Sequence, residues 1–259
     1  MKSENLNIVI VTYNNRELLR KCIESVEASR KNVNLNSIIT VVDNASNDGT
    51  EDEIRRYFPE INYIKNDKNY GLAKALNIGI KNSIASDFTL LLNDDVELFD
   101  DTIKRMIDVL EEHPEASGVP ARLVYPDGSP QRIKLNIIGI NKKLKDEITY
   151  VKFAGTTASL YRTEIFRKIG FFDEFYFFYN EDLDFCLRVS LLRIRTIHRN
   201  FRAPLGEDMT GSRLCKWSLW ARISASSTSK CLVTHSQIEP LPCPRGGIFS
   251  CCRMDQDLL

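Results

Sequence analysis

Two adjacent carboxylates follow a strongly apolar stretch near the middle of the chain. The sequence DFTLLLNDDVELFD, residues 87–100, places Asp94 and Asp95 just after this run, with no glycine or proline between. Neighbouring carboxylates repel each other, and a nearby cation relieves that repulsion. Mg²⁺ and Mn²⁺ prefer oxygen ligands and commonly take one or two carboxylates, completing their coordination with substrate phosphates. The pair therefore indicates a divalent metal site or, as the plainer alternative, two solvated turn residues.

A second pair of carboxylates, Glu181 and Asp182, opens the helical pattern EDLDFCLRVSLL. The helix macrodipole favours carboxylates in the first turn, so simple stabilisation of the helix start is one interpretation. The same dipole would keep a carboxylate ionised at neutral pH, which suits a general base. The preceding residues 170–180, GFFDEFYFFYN, are rich in aromatic side chains. Such side chains either fill a core or form a wall on which a sugar ring stacks.

The elements that must position these carboxylates alternate between strands and helices from residue 7 to 113. Apolar runs predict four buried strands, at NIVIVT, SIITVVD, INYIK and DFTLLLN, and helical periodicity predicts a helix after each. Such alternation predicts a parallel sheet with helices on both faces, and ligands bind at the carboxyl ends of its strands. Polar residues from three strand ends should then share one rim: Thr12, Tyr13, Asn14, Asp43, Asp94 and Asp95.

Gly71 precedes the third predicted helix, in the stretch NYGLAKALNIGI. A glycine at this position would let the backbone approach a phosphate at the start of the helix. A plain turn residue is an equally good interpretation. The stretch is not a dinucleotide-binding GxGxxG motif, because it lacks the strand-to-glycine turn of the right spacing.

Six stretches, taken in their order and spacing, resemble the inverting family 2 glycosyltransferases, and most closely the bacterial and archaeal branch that includes rhamnosyltransferases. They are NIVIVTYNN, VVDNASNDGT, NYGLAKALNIGI, LLLNDDVEL, FAGTTASLYRTEIFRKIGFFDE and NEDLDFCLR, and the resemblance covers residues 5–193. None of the six is decisive alone, but together they are specific. The resemblance implies a GT-A fold over residues 1–200, with a Rossmann-like, mostly parallel sheet and helices on both of its faces.

The resemblance also implies roles for particular residues. Thr12 and Tyr13 would line the pocket for the base and ribose, and Asp43 would hydrogen-bond the nucleobase. Asp95 would be the ligand of Mn²⁺ or Mg²⁺, with Asp94 near the ribose or the diphosphate. Asp182 would be the general base. The nucleotide-sugar-binding residues expected on this basis are Thr12, Tyr13, Asn14, Asp43, Gly71, Asn77, Asp94 and Glu181.

These roles predict a metal-dependent, inverting glycosyltransferase of cell-wall or polysaccharide biosynthesis. It would move a hexosyl or deoxyhexosyl group from a nucleoside diphosphate sugar to a hydroxyl of a glycan or lipid-linked glycan. A non-catalytic nucleotide-sugar-binding remnant of the same fold is one alternative. The unmatched C-terminal third favours it, and the intact Asp182 argues against it. A nucleotidyltransferase ranks lower, because TYNNRELL lacks the glycine-rich loop that this class needs. His198 lies in a poorly matching stretch, and we do not assign it as a metal ligand.

Composition limits the class of partner. The 35 basic and 35 acidic residues balance, so charge gives no reason to expect nucleic acid as a partner. No apolar run is long enough for a transmembrane helix, and the first residues, MKSENLNIVIVTYNN, lack the shape of a signal peptide. We therefore expect a cytoplasmic protein, and a lipid-linked acceptor admits peripheral contact with the inner face of the membrane.

Residues 201–259 form an atypical tail. From Gly211 onward the chain holds eight serines, five cysteines and both tryptophans, without helical or strand periodicity. A cytosolic protein has little use for clustered cysteines that lack metal-ligand spacing. The hypothesis is that the reading frame is lost between Leu192 and Pro204, which would leave the tail disordered and the acceptor side incomplete. The other two cysteines, Cys22 and Cys186, lie in apolar helical patterns and should be core residues.

Overall fold

The predicted alternation of strands and helices is present in the first part of the chain. The computed structural model describes residues 5–125, 142–143, 149–151, 155–191, 195–198 and 202–204. Its first eight elements are β1 Asn5–Thr12, α1 Arg16–Arg30, β2 Asn36–Asp43, α2 Thr50–Tyr57, β3 Asn62–Lys65, α3 Leu72–Asn82, β4 Phe88–Asn93 and α4 Thr102–Glu112. The four predicted strands and the helix after each of them are confirmed.

The later described elements are mostly short. They are β5 Ala116–Pro120, β6 Arg122–Val124, β7 Lys142–Lys143, β8 Thr149–Val151, β9 Ala158–Arg162, α5 Glu164–Ile169, α6 Glu181–Leu191, β10 Arg195–His198 and β11 Arg202–Pro204. The helix predicted to begin at the second carboxylate pair is α6, so Glu181 and Asp182 lie in its first turn as expected.

The main sheet has the strand order β3-β2-β1-β4-β9-β5-β10-β8-β7 across the described residues. Strands β1 to β4 pair in parallel, and the register sets Thr12 opposite Asp43 and Val11 opposite Asn93. The carboxyl ends of β1, β2 and β4 are therefore level, as the sequence predicted. Strand β9 runs antiparallel between β4 and β5, so the parallel arrangement belongs mainly to the half of the sheet that the alternating elements build.

Helices cover both faces of the sheet, which confirms the predicted α/β class. On one face, Ile8 and Ile10 of β1 belong to a buried cluster with side chains of α1, α2 and α4. On the other face, Val9 and Val11 belong to a cluster with side chains of α3, α5 and α6. Successive strand residues point to opposite faces, so one apolar run supplies both clusters. Cys22 and Cys186 are buried thiols, as expected.

Two further strands lie near the predicted end of the first domain. Strand β10 pairs in parallel with β5 of the main sheet, and β11 pairs in parallel with β6 in a separate two-stranded sheet. Both strands lie within the interval where the loss of the reading frame was expected, and that hypothesis stays a prediction. The predictions for residues 205–259 lie outside the described residues. Within the described ranges, no helix combines the length and apolar character that crossing a membrane requires.

Candidate active site

Asp94 joins the ends of β1 and β4. Thr12 Oγ1 donates a 2.7 Å hydrogen bond to Asp94 Oδ2, and both side chains are buried. Burial, followed by the charge of Asp95, raises the pKa of Asp94 to about 7, against the lowering effect of hydrogen bonds from Thr12, Asn15 and the Tyr13 backbone. Asp94 therefore supports the rim. Its carboxyl group holds a proton for part of the time near neutral pH, and a nearby cation would favour its ionised form.

Asp95 is half-buried, whereas Asp94 is buried. Among the residues that the structure describes, no group of three or more His, Cys, Asp or Glu side chains could hold a metal ion. Mg²⁺ and Mn²⁺ do not need such a group, because they take one or two carboxylates and add phosphate and water oxygens. Asp94 and Asp95 are adjacent carboxyl groups, and the charge of Asp95 raises the pKa of Asp94. Such a pair is an oxygen donor set suited to this kind of cation. The residues present fit a divalent metal at Asp95.

Asp43 ends β2 and accepts three hydrogen bonds from its own protein. Its Oδ1 accepts from Ser46 N at 2.8 Å and from Ser46 Oγ at 2.5 Å, and its Oδ2 accepts from the Tyr63 hydroxyl. Burial, followed by this hydrogen bond, raises the pKa of Tyr63 well above its usual range. Asp43 is fully buried, and its contact with a nucleobase stays a prediction.

Tyr13 and Asn14 form the accessible part of the β1 end. The Asn14 backbone N donates to Ser46 Oγ at 2.8 Å, and the Asn14 side-chain oxygen accepts from Asn47 N at 2.8 Å. Asn14 has a left-handed φ of +49°, which asparagine tolerates better than most residues. Asn14 is exposed and Tyr13 is half-buried, so a ligand at this rim can reach both. Their role in donor binding stays a prediction.

The carboxylate pair at the start of α6 lies in two different environments. Glu181 is 3% exposed, and its Oε2 has no hydrogen-bond partner. Burial, followed by the charge of Asp182, raises the pKa of Glu181 to about 7. Asp182 is half-buried and accepts a 2.8 Å hydrogen bond from Leu183 N. Burial raises the pKa of Asp182 too, against the lowering effect of the backbone hydrogen bonds at the helix start.

A cluster of aromatic side chains lies in the core next to the carboxylate pair. Tyr161, Phe166, Phe172 and Phe185 contact one another, with ring centroids 4.6–6.1 Å apart. The Tyr161 pKa is raised by burial, then by Cys186, and also by the charge of Asp182, which places the Asp182 carboxylate within electrostatic range of Tyr161. Of these four, only Phe172 belongs to the aromatic-rich stretch of residues 170–180, and Phe175 of the same stretch, which is 83% exposed, lies at the surface.

Gly71 and Asn77, which were expected to contact the donor, contact protein instead. Leu72 N donates a 2.7 Å hydrogen bond to Phe177 O, so a main-chain carbonyl lies at the helix start where a phosphate was expected. Asn77 is buried, with Nδ2 donating to Phe172 O at 2.8 Å and Oδ1 accepting from Phe172 N at 3.0 Å. In the described structure these residues hold the segment that precedes α6, and their contact with the donor stays a prediction.

Several residues that hold the site were not predicted from the sequence: Asn15, Ser46, Tyr63, Tyr161 and Phe177. Ser46 had a local signal, because an aspartate often accepts from the backbone a few residues later in a turn. The others depend on contacts between distant parts of the chain and carry no such signal.

Comparison with known proteins places this geometry in context. The chain matches the family described as glycosyl transferase family 2 over residues 7–170. It is 24% identical over 200 residues to the low-salt glycan biosynthesis hexosyltransferase Agl10 of Haloferax volcanii, covering 71% of this chain and 61% of that protein. The chain thus spans about three fifths of the length of this relative. It is also 24% identical over 213 residues to N-acetylglucosaminyl-diphospho-decaprenol L-rhamnosyltransferase of Mycobacterium tuberculosis, covering 69% of this chain and 68% of that protein.

A solved structure shares the fold. The mannosyltransferase PcManGT from Pyrobaculum calidifontis, in complex with GDP-Man and Mn²⁺, superposes with a TM-score of 0.62 at 14% identity. The superposition covers 89% of this chain and 66% of the mannosyltransferase. At this identity the likeness concerns the fold alone, and it confirms the predicted GT-A architecture.

Proposed function

We propose that this chain, which belongs to glycosyl transferase family 2, is a metal-dependent inverting enzyme that moves a sugar from a nucleoside diphosphate sugar to an acceptor hydroxyl. The observation that carries the proposal is the presence of two carboxylate sites with different environments. One is Asp95 beside the buried Asp94 at the end of β4, and the other is Asp182 in the first turn of α6. A diphosphate leaving group needs the first site, and a direct displacement needs the second.

Asp95 would hold Mn²⁺ or Mg²⁺ at the end of a buried strand. When bound, the cation would offset the negative charge that grows on the departing diphosphate. Asp94 adds negative charge at the same strand end, and its 2.7 Å hydrogen bond from Thr12 fixes it there. Because the side chain of Asp94 is buried and that of Asp95 is half-buried, Asp95 is the better candidate for direct contact with the metal.

Asp182 would accept the proton of the acceptor hydroxyl. As that oxygen bonds to the anomeric carbon, the bond from this carbon to the diphosphate oxygen breaks, and attack from the opposite face inverts the anomeric centre. The raised pKa of Asp182 suits a group that gains a proton in the reaction. Glu181 is buried, whereas Asp182 is half-buried, so Asp182 is the member of the pair that an acceptor hydroxyl can reach.

The donor would lie along the β1 end, against Tyr13 and Asn14, and the acceptor would be a glycan or a lipid-linked glycan. The names of the two curated relatives support this class of acceptor. The exposed Phe175 and Tyr179, which precede Asp182 in the chain, offer ring faces on which an acceptor sugar could stack. We place the reaction on the cytoplasmic side of the membrane, with peripheral contact through a lipid-linked acceptor.

The test uses the full chain with a panel of UDP-, GDP- and dTDP-sugars, with Mn²⁺ or with EDTA, and a lipid-linked glycan mixture as acceptor. Nucleoside diphosphate release that requires Mn²⁺ and is lost in Asp182→Asn would support the proposal. Nucleotide-sugar binding without release from any member of the panel would instead identify a non-catalytic binder. Release of pyrophosphate would identify a nucleotidyltransferase, and either outcome would refute the proposal.

A further inference from the structure

The segment between α5 and α6, residues 170–180, leads directly to the carboxylate pair and is held by α3 and α6. Arg188 of α6 donates to the carbonyl oxygens of Ile169 and Phe171, both at 2.8 Å. From α3, Asn77 makes two hydrogen bonds with the Phe172 backbone, and Leu72 N donates to Phe177 O at 2.7 Å. The last of these contacts is the one nearest to α6 in the chain.

The Phe177 contact depends on a glycine. A Cβ atom added at Gly71 would lie 2.3 Å from Phe177 O and 2.8 Å from Phe177 Cδ2. Gly71 also has a φ of +84°, which L-residues other than glycine rarely adopt. The Phe177 carbonyl can therefore approach the first turn of α3 only because residue 71 has no side chain.

Gly71 also connects, through hydrogen bonds, to the strand ends where the donor is proposed to bind. Its carbonyl oxygen accepts a 3.2 Å hydrogen bond from Asn44 Nδ2, and Asn44 directly follows Asp43 at the end of β2. Asn44 Oδ1 also accepts from Asn66 Nδ2 at 2.8 Å, which adds the end of β3 to the same network. The loop before α3 is thus fixed to two strand ends, and Phe177 is fixed to that loop.

The chain between Phe177 and α6 is strained. Tyr179 and Asn180 have left-handed φ values of +68° and +71°. Two consecutive non-glycine residues in this region cost free energy and persist only where the surroundings hold them. Asn180 O then accepts from Asp184 N at 2.9 Å in the first turn of α6, so the conformation of this turn sets where the helix begins.

We propose that Gly71 is a positioning residue for Asp182: by admitting the Phe177 carbonyl to the first turn of α3, it fixes the strained turn at Tyr179–Asn180 and thereby the direction in which α6 presents the base. This inference rests on the proposed function for the role of Asp182. It gives Gly71 a structural role, as a link between the strand ends of the donor side and the base, in addition to the predicted phosphate contact, which stays untested.

The test compares four variants of the full chain. Leu72→Pro removes the N–H that Phe177 O accepts together with the partly buried leucine side chain, and proline is well tolerated at the first position of a helix. Leu72→Ala is its control, because it loses the leucine side chain and retains the N–H. Gly71→Ala introduces the clash with Phe177. Gly79→Ala is its control, because a Cβ there would lie 2.3 Å from Val9 Cγ1 in the core, away from residues 170–180.

Two readouts need no donor: amide hydrogen exchange at Asp184, and NMR titration of the Asp182 carboxyl. In Leu72→Pro and Gly71→Ala we expect exchange at Asp184 to accelerate at least about tenfold and the Asp182 pKa to fall, because the carboxyl loses its burial. In both controls, the exchange rate at Asp184 and the Asp182 pKa should match those of the parent protein, even where the melting temperature of the control falls. If Gly71→Ala does not fold, the comparison of Leu72→Pro with Leu72→Ala tests the proposal.

The proposal is overturned if folded Leu72→Pro matches Leu72→Ala in both readouts. Because neither readout uses a nucleotide sugar, an absence of turnover would refute the proposed function without affecting this result. Where the sugar panel gives turnover, kcat should fall in Leu72→Pro relative to Leu72→Ala, with KM for the donor nearly unchanged, since Phe177 acts on the base. A rise in KM with unchanged kcat would instead assign the loop to donor binding.

Discussion

Replacing Glu181 with glutamine should change how the stability of the protein depends on pH. The Glu181 side chain is buried, and its pKa rises from 4.5 to about 7 in the folded protein. Between these values the folded state binds more protons than the unfolded state. The stability that Glu181 contributes is therefore fully present below about pH 4.5, and it is lost as the pH rises through about 7.

The magnitude follows from the same interval. A pKa that moves from 4.5 to about 7 corresponds to about 3 kcal/mol of folding free energy. Glutamine has nearly the same size as glutamate and cannot ionise. The Glu181→Gln variant therefore does not lose this folding free energy at high pH. The free energy of unfolding of the variant, minus that of the parent, should rise by up to about 3 kcal/mol from pH 4.5 to about pH 8. A pH-independent offset from the new amide would leave this trend unchanged.

Urea unfolding across this pH range, in EDTA and followed by circular dichroism, measures the difference. Asp94 and Asp182 also have raised pKa values, but both are present in the two proteins, so their contributions largely cancel. Glu60→Gln, which removes one negative charge from an exposed position, controls for net charge. Unfolding free energies of parent and Glu181→Gln that run parallel across this range would show that the carboxyl is solvated, and would refute the reasoning.

Three other predictions concern the rim and the base. Asp95→Ala should abolish both Mn²⁺-dependent turnover and the thermal shift that Mn²⁺ causes with UDP, whereas full turnover of this variant in chelator would exclude the metal role. Asp182→Asn should lower kcat by roughly 10²-fold or more with donor affinity little changed; weak donor binding with normal kcat would make it a binding residue. Tyr63→Phe should destabilise the fold by about 1–3 kcal/mol in urea unfolding, because it leaves Oδ2 of the buried Asp43 without its donor. Calorimetry should find UDP binding to this variant no weaker, and weaker binding would show that Tyr63 itself contacts the nucleotide.

The first half of the fold could be predicted because its signals are local. Each strand from β1 to β4 is a short apolar run, and each following helix repeats its apolar residues within a few positions. The place of β9 could not be predicted in this way. Its pairing with β4 joins Phe88 to Arg162 and Leu92 to Ala158, and nothing in either stretch specifies a partner so distant in the chain.

The same difference between local and long-range signals applies to the candidate site. Carboxylates at the end of a predicted strand and at the start of a predicted helix could be located from the sequence, because Asp95 and Asp182 lie where local pattern places chemistry. The contact made at Gly71 could not be predicted from the sequence, since a glycine before a helix looks the same whether a phosphate or a protein carbonyl approaches it. The group that approaches belongs to Phe177, and only the folded chain brings the two together.

The position of β9 in the sheet has a consequence for how the protein is made. Strands β1 to β4 leave the ribosome first and can pair with one another, but the edge of β4 stays uncovered until residues 158–162 follow. An uncovered strand edge offers its backbone hydrogen-bonding groups to other chains. Nascent chains that stop before Ala158 should therefore self-associate. They would carry the proposed metal site without the proposed base, because Asp182 is synthesised only after β9 has closed that edge.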